Sequence, residues 1–323
     1  EMKKMFVTAA TALLCFLAYS QEADELGKLA EFSVIARGEY LYSDPLGNSS
    51  LYTLLDGSFS EHLSYSVSNH WLSSDPKSLY TNTFHSDYTN WLDWAFLTYT
   101  YDNVGISVGK APLLWGTYEF DEYDFDIHYP FASSVWSELS CYQWGGSLSW
   151  TIMDVLTLEA GVSTSPYGER PFTSGLYVAG LRAIYDSDYF GFRAAYNHFG
   201  VGDGECTGVY SCGIRGKFAE KFSLTLDAQN AVGDSENIFI KGESARAALD
   251  YSACDSFQIL LNAGWEHYDA ENADLFKCGA ALHYYPVENL RLHALGAYNF
   301  GMEGIEFPFV FSVGATITLS KEW

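Results

Sequence analysis

The sequence is poor in positive charge, in proline and in long apolar runs. Its 323 residues contain 17 lysines and arginines against 41 aspartates and glutamates, a formal net charge of −24 at pH 7. This balance argues against binding of nucleic acid through charge, because the phosphate groups would be repelled. Only eight prolines occur. No run of about 18 apolar residues follows residue 20, so membrane-spanning helices are not expected.

Aromatic residues and glycine are abundant by contrast. Tyrosine, phenylalanine and tryptophan make up 17% of the chain, and 28 residues are glycine. A disordered chain would be poor in aromatic residues, which excludes general disorder. High tyrosine and glycine, low proline and many acids fit one class of membrane protein, the β-barrel, in which alternation dilutes the apolar residues.

The first twenty residues have the pattern of an export signal. Two lysines precede an apolar stretch at 6–17, and Ala18 and Ser20 then supply small side chains. This pattern predicts a secretory signal peptide over residues 1–20. A membrane anchor is the alternative, for which the apolar stretch is short. A single domain, residues 21–323, is expected to follow.

Beyond residue 30, polar and apolar residues alternate along the chain. Between Leu224, Leu226 and Ala228, for example, lie the polar residues Thr225 and Asp227. A period of two places apolar side chains on one face of a β-strand and polar ones on the other. Sixteen such segments can be recognised, starting near residues 31, 51, 63, 91, 104, 136, 155, 175, 189, 209, 222, 238, 257, 275, 290 and 307.

The connections between these segments are short and long in turn. Seven short turns, such as Asp102-Asn103, separate eight longer loops. Outer-membrane barrels have this arrangement, with turns in the periplasm and loops outside. A soluble β-sandwich or a β-solenoid would also alternate in polarity, but neither predicts alternating connection lengths. We therefore expect an all-β fold, a transmembrane antiparallel β-barrel of about 16 strands.

The C-terminus and the strand number support the same interpretation. Phe309, Phe311 and Val313 share one face of the last strand with the terminal Trp323. A last strand that ends in an aromatic residue resembles the signal that marks bacterial outer-membrane proteins for insertion. Sixteen strands enclose a lumen too wide for wall side chains to fill, so a water-filled interior is expected.

Basic residues of the strands share the polar face. Arg246, for instance, is flanked by Ala245 and Ala247. A cation facing lipid near the middle of the bilayer would cost about 2–4 kcal/mol, which gives this bias a physical cause. Two roles are open: a cationic ladder along a channel wall, or structural pairing with acids of the same face, such as Glu159 and Asp227. The predicted lumen wall consists of Arg37, Arg182, Arg193, Arg215, Lys217, Arg246, Lys277 and Arg291.

The longest connection, residues 112–135, is rich in acids and aromatic side chains. Such a loop is unsuited to free solvation, so we expect this third long loop to fold inward and narrow the barrel. Its acids would face the arginines of the wall, and the field between them would select solutes by charge. Ca²⁺ binding by the acids and a simply solvated loop are the alternatives. The predicted constriction consists of Lys110, Glu119, Asp121, Glu122, Asp124 and Asp126.

Part of the chain resembles a known family. The runs Val108-Gly109-Lys110, Trp115-Gly116, Tyr118-Glu119-Phe120-Asp121 and Tyr142-Gln143-Trp144-Gly145 resemble outer-membrane porins of Bacteroidota, grouped loosely with the phosphate-selective porin O/P family. The motifs cover about residues 104–150. The resemblance implies a sixteen-stranded, trimeric diffusion channel. Phosphate-selective members crowd basic residues at the constriction, whereas the matching loop here is acidic, so the resemblance does not extend to a phosphate preference.

Cysteine and histidine indicate no metal site or cofactor. Five cysteines follow the predicted signal peptide, an odd number that cannot pair completely within one chain. Export would permit a disulfide between Cys206 and Cys212. No spacing typical of zinc ligands occurs.

These observations predict a porin of the bacterial outer membrane. It would form a homotrimeric, water-filled channel for passive diffusion of small hydrophilic solutes and ions, with lipid and those solutes as partners and no nucleic acid. The alternatives are a barrel-type enzyme, a phospholipase or protease, and a structural or adhesive barrel. His198 is a candidate for the enzyme, but a rim histidine beside Tyr196 and Phe199 is more often part of an aromatic girdle. No enzyme activity is expected.

Overall fold

The structure, a computed structural model, describes residues 30–42, 49–73, 92–138, 141–168, 172–218, 221–232, 242–268, 272–303, 305 and 308–323. Within these residues, sixteen antiparallel strands follow one another around a closed barrel. The predicted signal peptide at 1–20 lies outside the described residues. The strands are β1 (Ala30–Leu41), β2 (Ser50–Ser58), β3 (Leu63–Ser73), β4 (Leu92–Tyr101), β5 (Val104–Pro112), β6 (Tyr142–Ile152), β7 (Leu156–Thr164), β8 (Tyr177–Asp186), β9 (Phe190–Gly202), β10 (Glu205–Phe218), β11 (Phe222–Val232), β12 (Gly242–Cys254), β13 (Phe257–Tyr268), β14 (Ala273–Val287), β15 (Leu290–Phe300) and β16 (Phe309–Glu322).

The first and last strands close the barrel. β1 pairs with β16 in antiparallel register, with Ala36 opposite Ile317. At the end of the chain the Trp323 N–H donates to the Ala30 carbonyl at 3.0 Å. Closure removes the open edge that a sheet would otherwise present, as a structure surrounded by hydrocarbon requires. The expected sixteen-stranded antiparallel barrel is confirmed.

Strand β11 shows how the alternating sequence produces two different faces. Leu224 and Leu226 point outward and are about two-fifths exposed, at 40% and 43%. Thr225 and Asp227 point into the barrel and are 1% and 5% exposed, because other residues cover them from inside. The outer face is therefore an apolar band of the kind found in outer-membrane barrels, and the inner face supplies polar groups to the interior.

The largest departure from the predicted strand positions is at β6. Its start was expected near residue 136, but the strand begins at Tyr142. The preceding residues form a short helix, Ser134–Glu138, in which Val135 and Trp136 are buried. A short apolar run cannot be assigned to helix or strand by periodicity alone. The third long loop is consequently residues 113–141, not 112–135, and we call it the inner loop.

The three α-helices described in the inner loop are all short. We label them α1 (Tyr118–Glu122), α2 (Phe125–His128) and α3 (Ser134–Glu138), with a 3₁₀ turn at Tyr129–Phe131 between the last two. Within the described residues, no helix has the length and apolar character needed to cross a membrane.

The five described cysteines are free thiols. Cys206 and Cys212 both lie in β10, six residues apart. At about 3.3 Å per residue their Cα atoms are roughly 20 Å apart along the strand, far beyond the reach of a disulfide. The disulfide considered between them is therefore not formed.

The outward position of Leu226 leads to a stability prediction. Replacing Leu226 by Arg, in the middle of β11, should lower the free energy of unfolding by about 2–4 kcal/mol, because the cation would face hydrocarbon. Phe222→Arg at the end of the same strand and on the same face is the matched control, with an expected loss of about 0–1 kcal/mol. Urea unfolding in lipid vesicles measures both. Equal losses at the two positions would contradict the assigned lipid-facing band.

Candidate functional site

The inner loop enters the barrel as an apolar segment that packs against the wall. Leu113, Trp115 and Val135 of the loop share a buried cluster with Val178 and Phe199 of β8 and β9. The Trp115 ring stacks on that of Phe120, at 4.8 Å between centroids. Burial of these large side chains holds both ends of the loop against one side of the lumen.

Tyr118 is a buried side chain of helix α1. Its ring lies between the guanidinium groups of Arg193 and Arg215, whose central carbons are 4.2 and 4.1 Å from the ring centroid. Gly213 of β10 and Gly191 of β9 leave room for the Tyr118 side chain. A Cβ added at Gly213 would lie 2.8 Å from the ring, and one added at Gly191 would clash with the hydroxyl. The backbone N–H of Tyr118 donates to Asp227 at 2.9 Å. Cation–π contact and shape together place α1 on β9–β11.

Two acids of α1 bind the arginines of neighbouring strands. Asp121 accepts from Arg193 at 2.5 Å and from Arg182 at 3.4 Å. Glu122 accepts from Arg193 at 3.0 Å and pairs with Arg215 at 2.8 Å. The pairs cross-link β8, β9 and β10 from inside. About one third of each carboxylate side chain remains exposed to the lumen.

Glu119, on the same helix, is fully buried, and its hydrogen-bond partners are neutral side chains and backbone instead of the wall arginines. Its carboxyl accepts hydrogen bonds from the Ser133 hydroxyl at 2.5 Å, from the Ser133 N–H at 3.2 Å and from the Gln229 amide. Burial raises the pKa of Glu119 above its ordinary value, against the opposing effect of Arg246 and of the Ser133 hydrogen bonds. Glu119 therefore fixes the fold of the loop and does not face the open lumen.

Beyond α1 the loop leaves β8–β11 and reaches strands β13–β15, further round the barrel. Ile127 and Phe131 form a second buried cluster with Leu260, Ala281 and Leu295 of β13–β15. This contact also uses a wall glycine, since a Cβ at Gly279 would lie 2.8 Å from the Phe131 ring. The loop thus spans the lumen instead of lining one side.

A second set of ion pairs lies where the loop passes β1 and β15. Asp126 pairs with Arg37 at 3.0 Å and accepts from the hydroxyl groups of Tyr52 and Ser50 at 2.7 and 3.0 Å. Asp124 accepts from Arg291 and lies 3.9 Å from Arg37. Burial alone would raise the pKa of Asp124, but these two arginines outweigh it and lower that pKa.

The other basic residues predicted for the wall, and Lys110 predicted for the constriction, have different partners. The Arg246 guanidinium lies 4.2 Å from the centroid of Tyr123. Lys277 pairs with Glu266 at 3.1 Å and donates to the Ala132 carbonyl of the loop at 2.6 Å. The last two are set apart from the loop acids: Lys217 pairs with Asp186 at 2.9 Å, and Lys110 donates to the carbonyl of Leu92.

The structure brings together four of the predicted constriction acids with five of the predicted wall arginines. The sequence led us to expect the acids to face the arginines across water. Instead they are in direct contact, because a partly buried charge is costly unless an opposite charge pairs with it. The acids concerned are Asp121, Glu122, Asp124 and Asp126, and the arginines are Arg37, Arg182, Arg193, Arg215 and Arg291.

Sequence reasoning did not assign roles to two tyrosines and three histidines of the interior. Tyr118 and Tyr123 contact arginines through their ring faces. His128 of α2 stacks on His283 at 5.3 Å, and His293 is opposite His283 in the sheet register. Burial and the nearby His283 lower the pKa of His128 to about 3, so its ring is neutral at pH 7. The interleaving of aromatic and acidic residues in the loop was the available signal for the tyrosines.

Two cavities flank the loop inside the barrel. One, of about 800 Å³, is lined by residues near the short turns, such as Lys217 and Tyr285, and we call it the turn-side cavity. The other, of about 260 Å³, lies between the loop and β1–β4. Tyr123 and Asp124 line both cavities. These two residues therefore mark the boundary between the two halves of the interior.

Comparison with solved structures identifies the type of barrel. A loop-deletion form of OmpT, an outer membrane protein of Vibrio cholerae, has a TM-score of 0.61 at 14% identity and covers 90% of this chain and 98% of its own. The anion-selective porin from Comamonas acidovorans has a TM-score of 0.60 at 11% identity, covering 91% and 98%. The fold is that of these outer-membrane barrels.

One further solved structure has a similar fold, and the sequence comparisons found no match. A mutant of the Rh. blastica porin matches with a TM-score of 0.56 at 15% identity, covering 90% of this chain and 99% of its own. No protein-family model matches the chain, and no curated protein matches it in sequence. The similarity therefore concerns the fold, and the Bacteroidota and phosphate-porin resemblance stays a prediction.

The glycine beneath Tyr118 provides a test of loop docking. Gly213→Val should displace α1 from the wall, because the added side chain occupies the position of the Tyr118 ring, with an overpacking cost of about 1–3 kcal/mol. Cleavage of the inner loop by proteinase K, mapped by mass spectrometry on the detergent-solubilised barrel, should increase. Gly296→Val on β15 is the control, since no atom lies within 4 Å of its added Cβ. The same cleavage pattern in both variants would rule out the docking contact.

Proposed function

We propose that the protein is a porin of the bacterial outer membrane, which lets small hydrophilic solutes and ions diffuse through its lumen. The observation that carries the proposal is the interior: a closed barrel, a charged inner wall, and a loop that narrows the lumen without filling it. Cavities remain on both sides of the loop and share Tyr123 and Asp124. Porins are among the structures with the same fold.

The proposal also includes export, orientation and assembly. Residues 1–20 serve as the signal peptide. The short turns and both chain ends lie in the periplasm, with the long loops outside. The turn-side cavity then opens toward the periplasm. OmpT of Vibrio cholerae was solved in a trimer form, which supports a homotrimer for this chain too.

Selectivity is assigned to the paired charges around the boundary of the two cavities. Arg37, Arg215 and Arg291 contribute positive charge there, while Glu122 and Asp124 contribute negative charge. Because opposite charges are in contact, their fields largely cancel at the distance of a passing ion. The intact channel therefore discriminates weakly between small anions and cations, and changing one partner shifts the balance.

The enzyme alternative has one local arrangement in its favour. His70 and Asp93 are buried in β3 and β4, with the His70 Nδ1 atom 2.5 Å from the carboxylate. Ser68 is beside them, but its hydroxyl donates to Asp93 at 3.3 Å, so the carboxylate holds it rather than the ring. A nucleophile activated by histidine needs the serine–histidine contact. Lipid or peptide hydrolysis that is lost in Ser68→Ala would establish the alternative.

Reconstitution in a planar bilayer under a KCl gradient tests the channel. Folded protein should give stepwise conductance. Folded protein without conductance would overturn the proposal and favour an enzymatic or structural barrel.

The same measurement tests the role of the loop acids. Asp121→Asn combined with Glu122→Gln leaves Arg182, Arg193 and Arg215 without a loop carboxylate, so the reversal potential should shift toward anions severalfold in permeability ratio. Asp102→Asn in a short turn, outside the lumen, is the matched control and should change nothing. An unchanged reversal potential in the double variant would remove the inner loop as the selectivity element.

A further inference from the structure

The smaller cavity is lined by aromatic side chains from both the wall and the inner loop. Tyr52, Trp94 and Tyr142 belong to strands β2, β4 and β6, and Phe120 and Trp136 belong to helices α1 and α3. We call this space of about 260 Å³ the aromatic chamber. We infer that it is a subsite for a neutral sugar ring on its way through the channel, an inference that rests on the proposed porin function.

The aromatic rings are held in place by their own contacts. Trp94 and Tyr142 form one tilted pair at 5.5 Å between centroids, and Phe120 and Trp136 form another at 5.7 Å. The indole N–H of Trp94 donates to the Ser66 hydroxyl at 2.7 Å. Because the wall satisfies this donor, the ring can offer its face to a ligand without leaving a polar group unpaired. Aromatic surface thus lines the chamber from both elements in a fixed geometry.

Polar groups complete the lining and are equally fixed. Asp126 lines the chamber while held by Arg37, Tyr52 and Ser50 at 2.7–3.0 Å. On the other side Asp93 is held by His70. A carboxylate and a guanidinium each form hydrogen bonds in a plane, which suits adjacent hydroxyl groups as donors and acceptors. Since these groups are already oriented, a ligand does not have to order them.

This combination matches a sugar ring better than other small solutes. A pyranose has apolar C–H faces, which pack on aromatic rings, and hydroxyl groups around its edge. A phosphate or another anion would need a cation to hold it, and Arg37 of the lining is already bound to Asp126. A straight alkyl chain has no hydroxyl groups with which to hydrogen-bond the polar lining.

An organic cation is the strongest rival, because aromatic rings and acids attract cations. The charges of the chamber argue against it. Asp126 is paired with Arg37, Asp124 with Arg291 and Asp93 with His70. The carboxylate oxygens therefore already have partners, and an ammonium group would have to compete with these contacts. Neutral hydroxyl groups can add to these pairs without disrupting them.

The first test is block of ion current by glucose or maltose in the reconstituted channel. Added sugar should reduce the KCl current saturably in the millimolar range. Sorbitol, a polyol without a ring, and choline should have little effect at equal concentration. Normal KCl conductance without block by sugar would overturn the inference and leave the porin proposal intact. Block by choline instead of sugar would assign the chamber to cations.

Tryptophan variants test whether the block by sugar arises in the aromatic chamber. Trp94→Ala should raise the half-blocking sugar concentration about tenfold, the loss of one ring contact worth about 1.4 kcal/mol. Trp94→Phe should restore most of the block. Trp150→Ala, a tryptophan exposed on the outer face near a short turn, is the matched control and should leave block unchanged. Equal loss of block in Trp94→Ala and Trp150→Ala would place the sugar elsewhere.

A binding measurement separates the two proposals if no current is seen. Saturation-transfer difference NMR on detergent-solubilised protein should show transfer to the ring C–H protons of maltose, reduced in Trp94→Ala. Transfer with no conductance would keep the sugar site and overturn the porin function. No transfer to the ring protons would overturn the sugar site.

Discussion

Charge pairing between the inner loop and the arginines of the wall is the constraint on which the interior depends. Arg193 is 8% exposed and is held by both Asp121 and Glu122. An arginine in this enclosed lumen without a carboxylate partner would be strongly unfavourable, since removing one member of a buried pair costs about 3–5 kcal/mol. The loop needs the wall for the same reason. The division of the lumen into a large and a small cavity follows from this mutual requirement.

The inner face of the barrel complements the loop in shape as well as in charge. Glycines stand where loop side chains approach closely: Gly191 and Gly213 under Tyr118, and Gly279 under Phe131. Small residues at these points let aromatic rings contact the backbone of the sheet. Apolar residues such as Leu260 and Leu295 face inward for the same purpose, although the simple barrel pattern reserves that face for polar groups. The wall therefore has two polar–apolar patterns, one on the outside of the barrel and one that faces the loop.

Sequence periodicity was sufficient to predict the barrel, because the outer face of a membrane barrel requires an apolar side chain at every second residue of a strand. Arg246 between two alanines could be assigned to the lumen without knowing its partner. The pairing of loop and wall could not be predicted, since the choice of Asp121 for Arg193 depends on where a folded loop crosses the lumen. Glu119 shows the limit most clearly. It looks like its acidic neighbours in the sequence, yet it is enclosed by Ser133 and Gln229. The start of β6 was missed because α3 is too short for its period to be recognised.

The partners of the inner loop are distant in the chain, and most of them come after it. The Tyr118 N–H binds Asp227, 109 residues later, Ser134 binds Glu266, 132 residues later, and Asp124 binds Arg291, 167 residues later. Such high contact order delays an interaction, because all the intervening chain must first be arranged. The contact of Asp124 with Arg291 and the meeting of β1 with β16 both require the last two strands, so the full set of loop–wall pairs is complete only as the barrel closes.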